Sequence, residues 1–126
     1  MSLVVYHYPA CSTCKKALAW LQSEGIAHGK IHIVDAPPSA ALIEAAWRAS
    51  GEKLDAFFNT SGESYRSGDF KSKLPTMSPA QKIAALAADG KLIRRPLVIE
   101  PGPGDAVQRA AVGFREPRFA EIWKPQ

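Results

Sequence analysis

The run Leu3-Val4-Val5-Tyr6-His7-Tyr8 is rich in β-branched and aromatic residues and stops at Pro9, which predicts a buried strand. Immediately after it, Pro9-Ala10-Cys11-Ser12-Thr13-Cys14-Lys15-Lys16 sets two cysteines three apart. From Cys14 onward the apolar positions Ala17, Leu18 and Leu21 recur at helical spacing, with Lys15, Lys16, Gln22 and Ser23 facing away, until Gly25 ends the pattern. The chain must therefore turn from strand into helix across the cysteine pair. Lys30 to Asp35 predicts a second strand, and a helix between two strands favours a right-handed crossover to a parallel neighbour. The opening of the sequence is thus a βαβ unit with a C-x-x-C motif at its first junction.

Beyond it, Ala36-Pro37-Pro38-Ser39 breaks the chain, and Leu42, Ile43, Ala46, Trp47 and Ala49 give a helical stripe that ends at Gly51. A short helix is expected over Leu54 to Phe58, a loop over Asn59 to Arg66, and no assignment is made for Phe70 to Leu74. Ser78-Pro79-Ala80-Gln81 carries a capping serine, a proline at the first helical position and a reciprocal glutamine, the clearest helix start in the sequence. Gly90 closes that helix. Leu97-Val98-Ile99 resumes an extended run, and Pro101-Gly102-Pro103-Gly104-Asp105 links it to Val107 through Val112 as a β-hairpin. A last helix is expected from Glu116 to Trp123. With no repeats and no long linker, 126 residues fit a single domain, 1–126.

Two cysteines so close together, in a chain without an export signal or an apolar run of about 18 residues, point to a reducing cytoplasmic setting and a redox or metal role. The first turn of a helix offers unpaired N–H groups and a partial positive charge that stabilise a thiolate, and Cys11 sits where that help is greatest. Cys14 shares the apolar face and is expected to be the more buried thiol. Cys11 would then attack a disulfide, peroxide or oxyanion, and Cys14 would resolve the adduct as an intramolecular disulfide. Two other readings stand beside this one. Both cysteines can be small core residues, or they can bind zinc with His7, His28 or His32, although no second C-x-x-C or H-x₃-H completes a tetrahedral set.

The same helix start suits an anion, and a guanidinium would complete the site. Arg66, Arg94, Arg95, Arg109, Arg115 and Arg118 are the candidates. Arg95 stands out because Pro96 follows it at the entry to a strand and fixes the direction of its neighbour. The 16 basic residues against 12 acidic ones are scattered, so neither direct nucleic-acid binding nor membrane association is indicated.

Taken together, the motifs resemble the thioredoxin-like proteins that include the glutaredoxin-linked arsenate reductases and the Spx and MgsR redox regulators. The likeness runs along nearly the whole chain. It rests on Tyr6 to Lys16, on Phe58-Asn59-Thr60-Ser61-Gly62 followed by Tyr65-Arg66, on Leu92-Ile93-Arg94-Arg95-Pro96-Leu97-Val98-Ile99, and on Val112-Gly113-Phe114-Arg115-Glu116, in family order and spacing. The resemblance implies an α/β fold: a four-stranded mixed sheet flanked by helices, with a helical insertion between the second and third strands. It implies Cys11 as nucleophile, Arg66 and Arg95 as two oxyanion-holding arginines, and Pro96 as a cis-proline beside them. Two departures stand out. The family's third oxyanion arginine directly follows a glycine, whereas here Gly113 is followed by Phe114, with Arg115 one place on. The glutaredoxin-linked reductases also carry a non-cysteine residue where this chain has Cys14, a position at which the C-x-x-C regulators, which bind RNA polymerase, are closer.

The expectation is therefore a cytoplasmic, monomeric thiol oxidoreductase similar to arsenate reductase, acting on a small oxyanion or disulfide. It needs no bound metal or organic cofactor, and glutathione with glutaredoxin, or thioredoxin, would serve as external reductant. The alternative is a redox-sensing regulator that binds RNA polymerase, with Cys11 and Cys14 as its switch.

Overall fold

The computed structural model describes residues 2–104 and 106–124. Four strands, β1 (Leu3–His7), β2 (His28–His32), β3 (Leu97–Pro101) and β4 (Val107–Val112), form one sheet in the order β2-β1-β3-β4. β1 runs parallel to β2 and antiparallel to β3, which in turn pairs antiparallel with β4. Helix α1 (Ser12–Ser23) joins β1 to β2, and α6 (Glu116–Trp123) follows β4. Between β2 and β3 the chain inserts α2 (Ala40–Ser50), α3 (Glu63–Ser67), α4 (Phe70–Lys73) and α5 (Pro79–Ala88), with short 3₁₀ turns at Leu54–Phe57, Leu74–Thr76 and Gly90–Leu92. This is the four-stranded mixed sheet with a helical insertion that the resemblance implied.

Strand alternation divides the interior in two. Leu3, Val5, Val98 and Ala111 point to the α1 and α6 side, where they meet Ala17, Leu21, Trp20, Phe119 and Trp123. Tyr6, Leu97, Ile99 and Ala110 point to the other side, against Ile43, Ala46, Ile83 and Leu86 of α2 and α5. Because both faces are covered, the central strand β3 reads as a continuous apolar run.

Local signals set the ends of the elements. The capping box at Ser78 and Gln81 is fully formed, with bonds of 2.9 and 3.2 Å, and Gly51 ends α2 in the left-handed region at φ 72°. Gly90 does more than stop a helix, because a Cβ there would lie 2.0 Å from the Ile33 carbonyl oxygen. Only glycine lets the turn after α5 approach the end of β2 this closely.

Three expectations are corrected. The second strand lies at His28–His32 instead of Lys30 to Asp35, because the His32 imidazole accepts the N–H groups of Val34 and Asp35 at 3.2 Å and bends the chain there. The segment read as a loop from Asn59 to Arg66 ends inside helix α3. On α1, Trp20 is buried while Leu18 is only partly so, because Trp20 turns its ring edge-on to Phe119 at 5.6 Å. Phe70 to Leu74, left unassigned, holds α4 and the start of a 3₁₀ turn. The hairpin is present, with the Gly102 N–H donating to the Ala106 carbonyl at 2.8 Å, while Asp105 lies outside the described residues.

Candidate active site

β1 ends at His7, and the chain turns through Tyr8, Pro9 and Ala10 with the Cys11 N–H donating to the Tyr8 carbonyl at 3.0 Å. Cys11 is the N-cap residue of α1, in extended conformation, and its carbonyl accepts the first helical bond, from Lys15 at 3.1 Å. The capping role that serine or aspartate usually fills is taken by sulfur: the Cys14 N–H donates to Cys11 Sγ at 3.4 Å. A negative sulfur satisfies that donor better than a neutral one, so the cap favours the thiolate.

The two thiols are held in opposite states. Both are free, Cys11 partly exposed and Cys14 1% exposed. Burial works against a Cys11 thiolate, but the Cys14 side chain and N–H and the Arg95 guanidinium outweigh it, and the Cys11 pKa falls below the ordinary thiol value. Cys14 is pushed up to about 12, first by burial and then by its neighbour Cys11, against the opposing hydrogen bond from the Tyr8 backbone. One thiol is thus biased toward its thiolate, and the other is held protonated three residues along the chain.

Arg95 reaches this pair from the segment before β3. The Arg95-Pro96 peptide is cis, Pro96 is buried, and the Arg95 guanidinium lies 4.8 Å from the centroid of the Tyr8 ring, with Nη1 donating to the Lys91 carbonyl at 3.4 Å. Arg66 is exposed on α3, and its Nη1 donates to the Ser61 carbonyl at 2.8 Å. α3 packs on the Gly90–Leu92 turn, and a bridge between Phe58 and Ile93, flanked by Asn59 N–H to Leu92 O at 2.8 Å, ties the Arg66 region to the segment carrying Arg95. Arg95 is therefore brought to the cysteines, whereas the Arg66 side chain bonds to its own loop.

The remaining candidates point elsewhere. Arg109 pairs with Glu100 at 2.6 Å, Arg118 with Glu121 at 3.2 Å, and Arg115 with Glu52 at 3.8 Å. Arg94 is exposed and packs over Gly113, where a Cβ would come 2.9 Å from its Nε. Phe114 packs edge-on against Phe119 at 4.7 Å, part of the aromatic cluster beneath α6. The position expected for a third arginine therefore contributes packing to the core. His28 is bound to the Ile26 carbonyl at 2.8 Å, and the rings of His7 and His32 are 6.2 Å apart. Among the described residues no cluster of three or more His, Cys, Asp or Glu side chains could hold a metal. The sequence reading missed the Tyr8 ring; an aromatic residue between the first strand and the cysteine turn was the available signal.

The ArsC family model matches residues 6–122. YusI of Bacillus subtilis, an uncharacterized protein, is 43% identical over 123 residues, 98% of this chain and 99% of its own. An arsenate reductase of Rhizobium meliloti is 30% identical over 104 residues, 80% of this chain and 71% of its own. The global transcriptional regulator Spx of Listeria monocytogenes is 25% identical over 114 residues, 90% and 81% of the two chains. Among solved structures, an ArsC family related protein from Bacteroides fragilis superposes with a TM-score of 0.88 at 39% identity, covering 96% of this chain and 97% of that one. Family model, sheet order and full-length relatives all agree, and the chain belongs to the ArsC family, with its thioredoxin-like fold.

Proposed function

We propose that residues 1–126 act as one monomeric thiol oxidoreductase with Cys11 as nucleophile, Cys14 as resolving thiol, and Arg95, aided by Arg66, as the anion-positioning group. The observation that carries this is the asymmetry of the pair: Cys11 caps a helix beside an arginine, while Cys14 is 1% exposed and held protonated. With an oxyanion such as arsenate, the Cys11 thiolate attacks the central atom, and an arsenate hydroxyl takes a proton from solvent and leaves as water. With Cys11 bonded to arsenic its negative charge no longer opposes ionisation of Cys14, and Cys14 attacks Cys11 Sγ as its proton passes to an oxygen on arsenic. The sulfur–arsenic electron pair passes to arsenic, which leaves as arsenite, and the two cysteines become a disulfide. With a disulfide substrate, the same two attacks release two thiols. An external thiol, glutathione with glutaredoxin or thioredoxin, returns the pair to the reduced form, in the cytoplasm. No helix among the described residues is long and apolar enough to cross a membrane. Thiol-dependent turnover of arsenate and of a model disulfide by the wild type and by Cys11→Ser tests the reading. Turnover lost in the variant supports it, and turnover absent from the wild type, or kept in the variant, overturns it.

A regulator that binds RNA polymerase in one redox state is the second reading. It is favoured by Phe114 standing where the reductases hold an arginine and by an Spx relative that matches 90% of the chain. Capture of RNA polymerase under oxidising or reducing conditions alone, without turnover, would select it.

A further inference from the structure

Tyr8 is where the cysteine turn and the arginine segment meet. Its carbonyl accepts the Cys11 N–H at 3.0 Å, its backbone favours ionisation of the Cys14 thiol, against burial, and its ring lies under the Arg95 guanidinium at 4.8 Å. The ring has little freedom. Pro9 confines Tyr8 to extended backbone, and the His32 ring stands edge-on to it at 5.5 Å and 74°. His32 is itself fixed by the Val34 and Asp35 N–H groups on its Nδ1, with the Asp35 carboxylate 3.8 Å away and the His7 ring centroid 6.2 Å from its own.

Arg95, in contrast, has few other tethers. Among the described residues no carboxylate lies within ion-pair distance of it, and its bond to the Lys91 carbonyl is long, at 3.4 Å. An arginine without a carboxylate keeps its full charge for whatever approaches Cys11, but needs another means of staying in place. An aromatic face supplies it without neutralising the cation, since the attraction is to the ring quadrupole. The groups facing Cys11 are then Cys14 and Arg95, one neutral and one positive.

We propose that Tyr8 is a positioning residue whose ring, and not its hydroxyl, holds the Arg95 guanidinium over Cys11, so that the site selects anionic electrophiles. The inference rests on the reading of Cys11 as nucleophile and Arg95 as its anion-positioning group, and deepens it by naming the residue that keeps Arg95 in place. It adds no step to the chemistry.

The test uses two alkylating probes on the reduced full chain: iodoacetate, which is anionic, and iodoacetamide, which is neutral. Each forms the same kind of sulfur–carbon bond with loss of iodide and reacts with the same thiolate. The ratio of their rates at Cys11 therefore cancels the thiolate fraction and reports the charge beside it. The wild-type ratio is expected to exceed that of free glutathione, and Arg95→Met to lower it. Tyr8→Leu lowers it by about two- to fivefold, the range of a partly exposed cation–π contact. Tyr8→Phe keeps it, and Tyr8→Leu adds no further loss in an Arg95→Met background. Circular dichroism checks each fold, and Tyr8→Met replaces Tyr8→Leu if the latter does not fold. A wild-type ratio in the folded Leu or Met variant overturns the inference, as does a Tyr8→Phe ratio as low as that of Tyr8→Leu. The underlying reading fails separately, and the inference with it, if wild-type Cys11 is alkylated by iodoacetamide no faster than glutathione below the ordinary thiol pKa.

Discussion

Replacing Gly90 by alanine adds one methyl group, and its consequence can be worked from the surroundings. The new Cβ would stand 2.0 Å from the Ile33 carbonyl oxygen and 2.8 Å from its carbonyl carbon, where ordinary contacts begin at 3.4 Å. Those atoms are backbone, so no side chain can rotate away, and something must move by more than an ångström. Overpacking of this kind costs up to about 3 kcal/mol. Alanine returns roughly 0.4–1 kcal/mol by restricting the unfolded chain, since Gly90 is not in the left-handed region, and about 2 kcal/mol of net loss remains. For a chain of 126 residues, 1 kcal/mol shifts Tm by about 4 °C, so Gly90→Ala should melt about 8 °C below the wild type by calorimetry. The strain also has a direction. Ile33 N–H donates to the His7 carbonyl at 2.9 Å, at the end of β1 that leads into Tyr8 and Cys11, so alkylation of Cys11 should change as well. Gly29→Ala is the control: nothing lies within 4 Å of a Cβ there, and its Tm should match or slightly exceed the wild type. A Gly90→Ala protein melting within about 2 °C of the wild type would refute the close approach of this turn to the end of β2.

Further outcomes follow from the same geometry. Treated with excess 5,5′-dithiobis(2-nitrobenzoate), wild-type protein should release two thiolate equivalents and retain no adduct. Cys14→Ser should release one and keep a mixed disulfide on Cys11, visible by mass spectrometry; an adduct kept by both, or by neither, counts against Cys14 as resolver. The Cys14 thiol, raised to about 12 by burial, stays protonated in the fold after the unfolded thiol has ionised. Its contribution to stability is therefore complete below about pH 8.5 and is lost as pH rises toward 12, whereas that of Cys11, whose pKa is lowered, is lost as pH falls. Urea midpoints at about pH 8 and about pH 10.5 should thus lie closer together in Cys14→Ala than in the wild type, with Tyr6, also raised by burial, acting equally in both. Ser78→Ala breaks one half of the capping box and should cost about 1 kcal/mol in urea denaturation while leaving Cys11 alkylation unchanged.

Elements with a strong local signal were legible in the sequence. The capping box, the glycine stop at Gly51 and the strand-to-helix turn at Cys11 are each carried by a few adjacent residues. α3 was not, because five residues with no buried side chain leave no apolar period to read. The early end of β2, three residues before the expected one, has a different origin: Ile33 and Val34 favour a strand, but the side chain of His32 captures the N–H groups that a continued strand would need. At the site, the order of the two thiols followed from helix periodicity. Arg95 was singled out by the proline that follows it, although its approach to Cys11 depends on a chain reversal some eighty residues away, whereas the cation–π contact of Tyr8 with Arg95 has no counterpart in spacing along the chain.

Everything proposed for this site depends on Cys11 being the activated thiol and Cys14 its protonated partner. Mapping the pH dependence of iodoacetamide labelling at each cysteine, by mass spectrometry on reduced, chelator-treated protein, tests it most directly. Cys11 should label below the ordinary thiol pKa of about 8.5, and Cys14 only as pH rises toward 12. Slow and equal labelling of the two, with no reactivity at low pH, would contradict it.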